Sequence, residues 1–406
     1  MSDQARVRYA LWAVFAATLA VRVGFGAVLP GLPLYAQQHG LSTAMIAVMT
    51  NAYLLTHAVF QSYAGHLGDR WGRRPVMLAG TWLYTAAAGL FMLDMAPWFY
   101  ILLRALEGLG ACFFGPSARA YVADLVPEGE RGRAYGMLTA FDMAGFTLGP
   151  MLGSAAIGLG GPKAPFALCA VLALLAAVPL LLLTRSGRRA DKAVETPDNA
   201  PQPILAISNA RFLRAPAFWA VAMPQIGLSY LNALYSVIWS LHMQRIGASN
   251  FQISLSWTTF AIPMVLFTVP FGRLADRVGR PLLVGVGGLG STLATISYAL
   301  LPYPNALIGF GVLDGVAAAM FSPASQAYMA DVAPPGIRGK FMGLVGAVQT
   351  VATILCVTMV GWMYDRVDPF WLFVIGAIAL LVSCSSAVAI MVRRPAAEMR
   401  RALEGV

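Results

Sequence analysis

The chain has 406 residues, of which 58% are hydrophobic and only 11% charged, and its formal net charge is +10. Water-soluble domains usually carry about a quarter charged residues, so this composition excludes a soluble enzyme and leaves no soluble basic face for nucleic acid. The four cysteines, Cys112, Cys169, Cys356 and Cys384, are scattered through apolar stretches without ligand spacing, which argues against a metal centre or a disulfide framework.

Apolar runs of about 20 residues recur along the chain, the length at which a helix crosses a ~30 Å hydrocarbon core. They predict twelve transmembrane helices, at roughly 10–34, 43–65, 75–95, 98–121, 133–158, 164–184, 216–240, 250–271, 281–302, 304–328, 341–363 and 370–392. The first run follows a short basic stretch but is too long, and too Pro-rich at its far end, for a cleaved signal peptide. Residues 185–215 are polar and divide the chain into an N-terminal six-helix bundle (1–184), a cytoplasmic linker, and a C-terminal six-helix bundle with a short cytoplasmic tail (216–406). With both termini cytoplasmic, only Lys163, Arg245 and Arg366 of the 28 Lys and Arg fall on outside loops, and Arg22 and Arg104 fall within spans. That asymmetry sets the expected orientation and assigns the positive charge to topology and anionic lipid.

The two halves repeat one another at a shift of 207 residues. Gly65-His-Leu-Gly-Asp69-Arg70-Trp-Gly72-Arg73-Arg-Pro75 returns as Gly272-Arg-Leu-Ala-Asp276-Arg277-Val-Gly279-Arg-Pro281. The same shift carries Glu107 to Asp314, Pro116 to Pro323, Tyr121 to Tyr328 and Asp124 to Asp331. Pro75 suits a helix start, a carboxylate near a helix N-terminus gains roughly 0.3–1 kcal/mol, and Gly65 and Gly72 permit a tight reversal. Both segments therefore read as cytoplasmic loops; a plain stop-transfer cluster would need no such spacing. In the fifth span Gly145, Gly149 and Gly153 share one helix face, the pattern that lets membrane helices approach closely, and Pro150 can kink it. Tight packing alone is the competing reading. The second half has Cys356-Val357 in place of Gly149-Pro150.

Gly65-x-Leu-x-Asp69-Arg70-x-Gly72-Arg73 resembles the signature loop of the major facilitator superfamily, and its second copy strengthens the likeness. Arg104-x-x-Glu107-Gly108 is similar to the family's fourth-span motif, whose arginine is linked to proton transfer, with Glu107 where glutamine is usual. Gly145, Gly149-Pro150 and Gly153-Ser154 are similar to the fifth-span pattern of the twelve-span drug–proton antiporters, which goes with export. The resemblance implies a major facilitator fold: an all-α membrane protein of two six-helix bundles related by pseudo-twofold symmetry. It also implies gating by the signature loops (Gly65, Asp69, Arg70, Gly72, Arg73; Gly272, Asp276, Arg277, Gly279) and a central cavity lined by spans 1, 4, 7 and 10.

Arg22, Arg104, Glu107, Asp142 and Asp314 lie well inside spans, where an ionisable residue is expensive unless paired or hydrated and is a functional candidate for that reason. Arg104 and Glu107 are three apart and can pair directly. Two cations against three anions leave one carboxylate over, and a carboxylate that gains and loses its partner binds and releases a proton. Glu107, Asp142, Asp314 and Arg104 are thus the proton-coupling candidates, with Asp142 expected to look towards the opposite bundle. Arg22, Phe25, Tyr53, Phe113, Tyr230, Tyr235 and Trp239 are the candidates for an amphipathic substrate cavity, although most aromatics in such spans pack or anchor. The expected protein is a monomeric, multi-pass transporter of a bacterial inner membrane, with no cofactor. It exchanges protons for a drug-like or amphipathic small molecule and has lipid, not nucleic acid, as its surroundings. The rival is a transporter that imports or exports an organic anion or other small metabolite held by Arg22 and Arg104; a non-transporting membrane sensor is a remote third.

Overall fold

A computed structural model describes residues 3–182, 209–333, 338–394 and 396–404, and among these every regular element is helical. In chain order the first half holds α1 (Asp3–Val28), α2 (Leu32–Gln38), α3 (Thr43–Trp71), α4 (Arg73–Phe91), α5 (Pro97–Leu125), α6 (Arg131–Gly160) and α7 (Ala164–Leu182). The second holds α8 (Asn209–Arg214), α9 (Pro216–Ala233), a π turn (Leu234–Ile238), α10 (Trp239–Arg245), α11 (Asn250–Val278) and α12 (Arg280–Leu300). It continues with α13 (Pro304–Val332), α14 (Arg338–Met363), α15 (Pro369–Arg393) and α16 (Ala396–Glu404). Most of the expected linker, residues 185–208, lies outside the described residues.

Ten of these helices are long and apolar enough to cross a membrane. The other two expected spans are α4, whose first turn carries Arg73 and Arg74, and the seventh, which the π turn divides between α9 and α10. Helix starts follow local chemistry. Pro97, Pro216, Pro304 and Pro369 open α5, α9, α13 and α15, where the missing N–H has no partner to lose. The Ser42 hydroxyl accepts from the Met45 N–H at 3.3 Å, and the Asp368 carboxylate from the Phe370 N–H at 2.8 Å, each capping a helix.

Two expectations need correction. The first span, expected unbroken to residue 34, is interrupted: α1 stops at Val28, and α2 starts anew at Leu32 with Pro33 in its first turn. Pro30 and Pro33 withhold N–H groups there. The signature segments are not loops either. Gly65, Asp69 and Arg70 ride on the last turns of α3, and Gly272, Asp276 and Arg277 on those of α11. Only Gly72 and Gly279 separate the helices, at φ of 90° and 95°, a left-handed conformation that a Cβ disfavours.

Cα proximity groups the chain into two compact units, Met1–Pro197 with Ser249–Thr258, and Asp198–Ala248 with Thr259–Val406. In the first, α1 packs on α6 and α7, and α4 on α5 and α7; in the second, α9 packs on α14 and α15, and α12 on α13 and α15. The repeat thus extends to pairing. It extends also to single contacts: a Cβ added at Gly80 would stand 2.8 Å from the Gly110 carbonyl and the Phe114 nitrogen. At the matching Gly287 it would stand 2.7 Å from the Ala317 carbonyl and 2.8 Å from the Phe321 nitrogen.

Candidate functional site

The shared sequence of the signature segments builds one charge clamp twice. Arg73, at the start of α4, pairs with Asp69 one turn back on α3 and with Asp124 near the end of α5, the latter at 3.5 Å. Arg280, at the start of α12, pairs with Asp276 at 3.4 Å and with Asp331 of α13. Each clamp ties three helix ends together on one face of its unit. Arg70 and Arg277, expected in this role, are exposed and form no ion pair among the described residues. Arg280, Asp124 and Asp331 take the parts that the sequence reading left unassigned. At the other ends of the first unit's helices, Asp94 accepts from Lys163 at 2.8 Å and lies 3.1 Å from His39 Nε2. Hydrogen bonds from Lys163, then from His39, hold its carboxyl below the usual carboxylate range.

Inside the first unit, all four charges are paired. Arg22 of α1 donates Nε to Asp142 Oδ1 at 2.5 Å and Nη2 to Oδ2 at 2.8 Å, a two-pronged grip on α6. The glycine stripe explains the reach: a Cβ at Gly145 would stand 2.6 Å from Arg22 Cβ, and one at Gly149 2.6 Å from Gly26 Cα. Gly145, Gly149, Pro150 and Gly153 therefore face α1 of their own unit, and so does Asp142, in contrast to the expected outlook on the other bundle. Arg104 donates Nη1 to Glu107 Oε2 at 2.5 Å on α5. That pair is buried at 5% and 3% side-chain exposure, whereas Arg22 and Asp142 are 33% and 21% exposed. The Arg22 guanidinium lies 5.8 Å from the Phe25 ring and that of Arg104 4.7 Å from Tyr53. Phe25 and Tyr53 are 5.9 Å apart, so rings and cations alternate between the two ion pairs. Tyr84, which sequence did not single out, is buried beside Tyr53 and Glu107.

The second unit is built differently at the matching place. Asp314 stands where Glu107 does, but Gly311 occupies the place of Arg104. Asp314 is 2% exposed. Its Oδ2 accepts from the Tyr235 hydroxyl at 2.5 Å and from the Tyr298 hydroxyl at 3.4 Å, with Ser291 beside the carboxyl. Among the described residues no cation pairs with it. Of the three buried acids it is the one left over by the count of intramembrane charges. Tyr235 sits in the π turn, an irregularity often found at functional positions. Trp239 packs on Tyr298 at 4.8 Å between centroids and on Tyr235 at 5.7 Å.

Phe113 is half-buried on α5 and Tyr230 packs against Gly376; the structure brings neither to these clusters. Tyr298 and Ser291 were missed because they lie on α12, a helix with no charge inside it to draw notice. The repeat aligns Ser291 with Tyr84 and Tyr298 with Phe91, neither of which carries a charge that would mark the pair.

The profile of the family described as Major Facilitator Superfamily matches residues 14–233 and 225–405. Multidrug resistance protein 2 of Bacillus subtilis is similar to the chain, with 24% identity over 338 residues, 82% of each chain. Two solved structures share its fold. A bacterial homologue of the human lysosomal transporter Spinster, inward-facing and unoccupied, superposes with a TM-score of 0.74 at 17% identity, over 97% of this chain and 96% of that one. A D-xylose–proton symporter does so with a TM-score of 0.70 at 16% identity, over 93% and 96%.

Proposed function

The chain belongs to the major facilitator superfamily, and on that footing we propose that it is a secondary active transporter expelling a drug-like or amphipathic small molecule in exchange for protons. It is a multi-pass membrane transporter and not an enzyme; coupling, direction and the alternating opening of the substrate path to either side are the proposal. The setting is a bacterial inner membrane with both termini cytoplasmic, and the working unit is a monomer.

The observation that carries the reading is Asp314. A carboxylate in a low-dielectric interior is costly without a counter-charge, and among the described residues the side chains bonded to it are hydroxyls. A proton can neutralise it where no side chain does. Transport that exposes Asp314 first to one side and then to the other would carry that proton across, with about 2.3 kcal/mol available per charge per 100 mV. Glu107 and Asp142 are held by arginines and serve as secondary carriers only if those pairs open. Multidrug-resistance relatives and the glycine stripe support efflux of amphipathic solutes. The organic-anion alternative draws less support, because Arg22 and Arg104 each already hold a carboxylate.

Inverted membrane vesicles supplied with ethidium test the reading. Addition of the dye should dissipate ΔpH for the wild type and not for Asp314→Asn, with Glu107→Gln and Asp142→Asn affected less. Unchanged coupling in all three variants would overturn the proton-carrier role.

A further inference from the structure

The repeat supplies a comparison that isolates what is special to the second unit. At a shift of 207 residues, Tyr35 corresponds to His242, Phe91 to Tyr298, Phe166 to Phe373 and Val28 to Tyr235. The contacts correspond too. In the first unit the Tyr35 hydroxyl donates to the Phe91 carbonyl at 2.6 Å, and its ring lies 4.6 Å from Phe166. In the second unit the His242 ring lies against the Tyr298 backbone and 4.9 Å from Phe373. The same packing position therefore holds a phenol bonded to the chain in one half and an imidazole in the other. Three substitutions make the difference, Val28/Tyr235, Phe91/Tyr298 and Tyr35/His242; the first two bring phenols to the acid that lacks a cation, and the third lies against one of them.

Tyr235, Trp239 and His242 are spaced at i, i+4 and i+7 and so form one stripe along the π turn and α10. The stripe begins at Asp314, to which Tyr235 donates, and ends one turn from the α10–α11 connection, the predicted outside loop that carries Arg245. His242 itself is partly exposed, yet both its ring nitrogens are buried, and the Tyr298 backbone is the one hydrogen-bonding group beside them among the described residues. At least one nitrogen of this imidazole is left without a partner among the described residues, a cost that natural structures rarely carry without use. The charged groups facing it are Arg245 on α10 and Asp368 at the start of α15; Tyr298 faces it from α12. Trp239 and Phe373 close the space between the ring and the phenols, 4.8 Å and 6.4 Å from Tyr298 between centroids.

We propose that His242, Tyr298 and Tyr235 form the route by which protons reach Asp314 from the outer end of the second unit, with Trp239 and Phe373 as the apolar collar that water must pass. The route rests on the reading of Asp314 as a proton carrier. One nitrogen of the neutral imidazole takes a proton from the outer solution, and the other releases its own to a water admitted past the collar. That water reprotonates a phenol as the phenol hands its proton to the Asp314 carboxylate. The carboxylate gains one proton, the solution loses one, the phenol ends as it began, and the imidazole ends as its other tautomer, which a ring flip resets before the next proton.

Infrared spectroscopy on the purified full chain tests this without a substrate. On transfer to D2O, the carboxylic C=O band assigned by its loss in Asp314→Asn should shift as the proton exchanges. In His242→Phe and in Tyr298→Phe the band should persist and its exchange slow by about tenfold or more. Tyr298→Phe installs the first unit's residue at this place, so a loss of folding does not confound it. Wild-type exchange rates in both variants would overturn the route. A spectrum in which Asp314→Asn removes no carboxylic band would instead overturn the proton-carrier reading beneath it.

Discussion

Replacing Arg104 with Met would strand Glu107 in the first unit. The two side chains are 5% and 3% exposed, so solvent screens the pair very little, and Glu107 would be left either charged without a partner or protonated with its hydrogen bond lost. Breaking a buried pair from one side typically costs about 3–5 kcal/mol, whereas removing both charges together with similar volume is often neutral. Arg104→Met should therefore destabilise the unit by about 3–5 kcal/mol, and Arg104→Met/Glu107→Met should recover most of that. The Arg22–Asp142 pair has shorter reach to water, at 33% and 21% exposure, and Arg22→Met should cost only about 1 kcal/mol after screening. Thermal unfolding in detergent, followed by a thiol-reactive dye on the buried Cys112, Cys169 and Cys384, reads all four proteins. A double variant no more stable than Arg104→Met, or an Arg22→Met loss as large as that of Arg104→Met, would refute the reasoning.

Gly153→Ala should lower thermal stability by about 1–3 kcal/mol through overpacking, because its Cβ would stand 2.8 Å from the Ala27 Cα and carbonyl carbon and closer still to the oxygen. Gly158→Ala, with nothing within 4 Å, should not, and equal melting curves for the two would count against the α1–α6 fit. Gly72→Ala and Gly279→Ala should each cost on the order of 1–2 kcal/mol from left-handed strain, seen as matched melting losses in either unit. Since the folded Asp94 carboxyl ionises below its unfolded value, its pairing helps above about pH 4 and fades as pH falls through the lowered value. Lys163→Met should remove that acid-side slope from a pH series of melting temperatures while leaving the rest of the curve in place.

Much of this was legible in sequence, and the reasons differ by residue. Helix existence followed from apolar length, and the Arg104–Glu107 pair from a three-residue spacing on one helix. The internal charge count predicted one acid without a partner. It could not say which, because Arg22 and Asp142 are 120 positions apart and meet only through the close approach of α1 and α6. The signature segments misled in a specific way. Glycines and charges read as loop, but a helix end facing water tolerates both, and only Gly72 and Gly279 leave the helical region. The break at Val28 was hidden by an unbroken run of hydropathy, and the π turn at Leu234–Ile238 has no compositional mark at all.

The one-residue joints at Gly72 and Gly279 have a mechanical corollary. A hairpin with a single flexible link, and with Arg73 or Arg280 bracing both arms, has too little slack for one arm to slide without dragging the other. Whatever strokes the protein makes, α3 should travel with α4, and α11 with α12, as stiff levers. Spin labels set on the two arms of either lever would keep a constant separation while the dye is pumped.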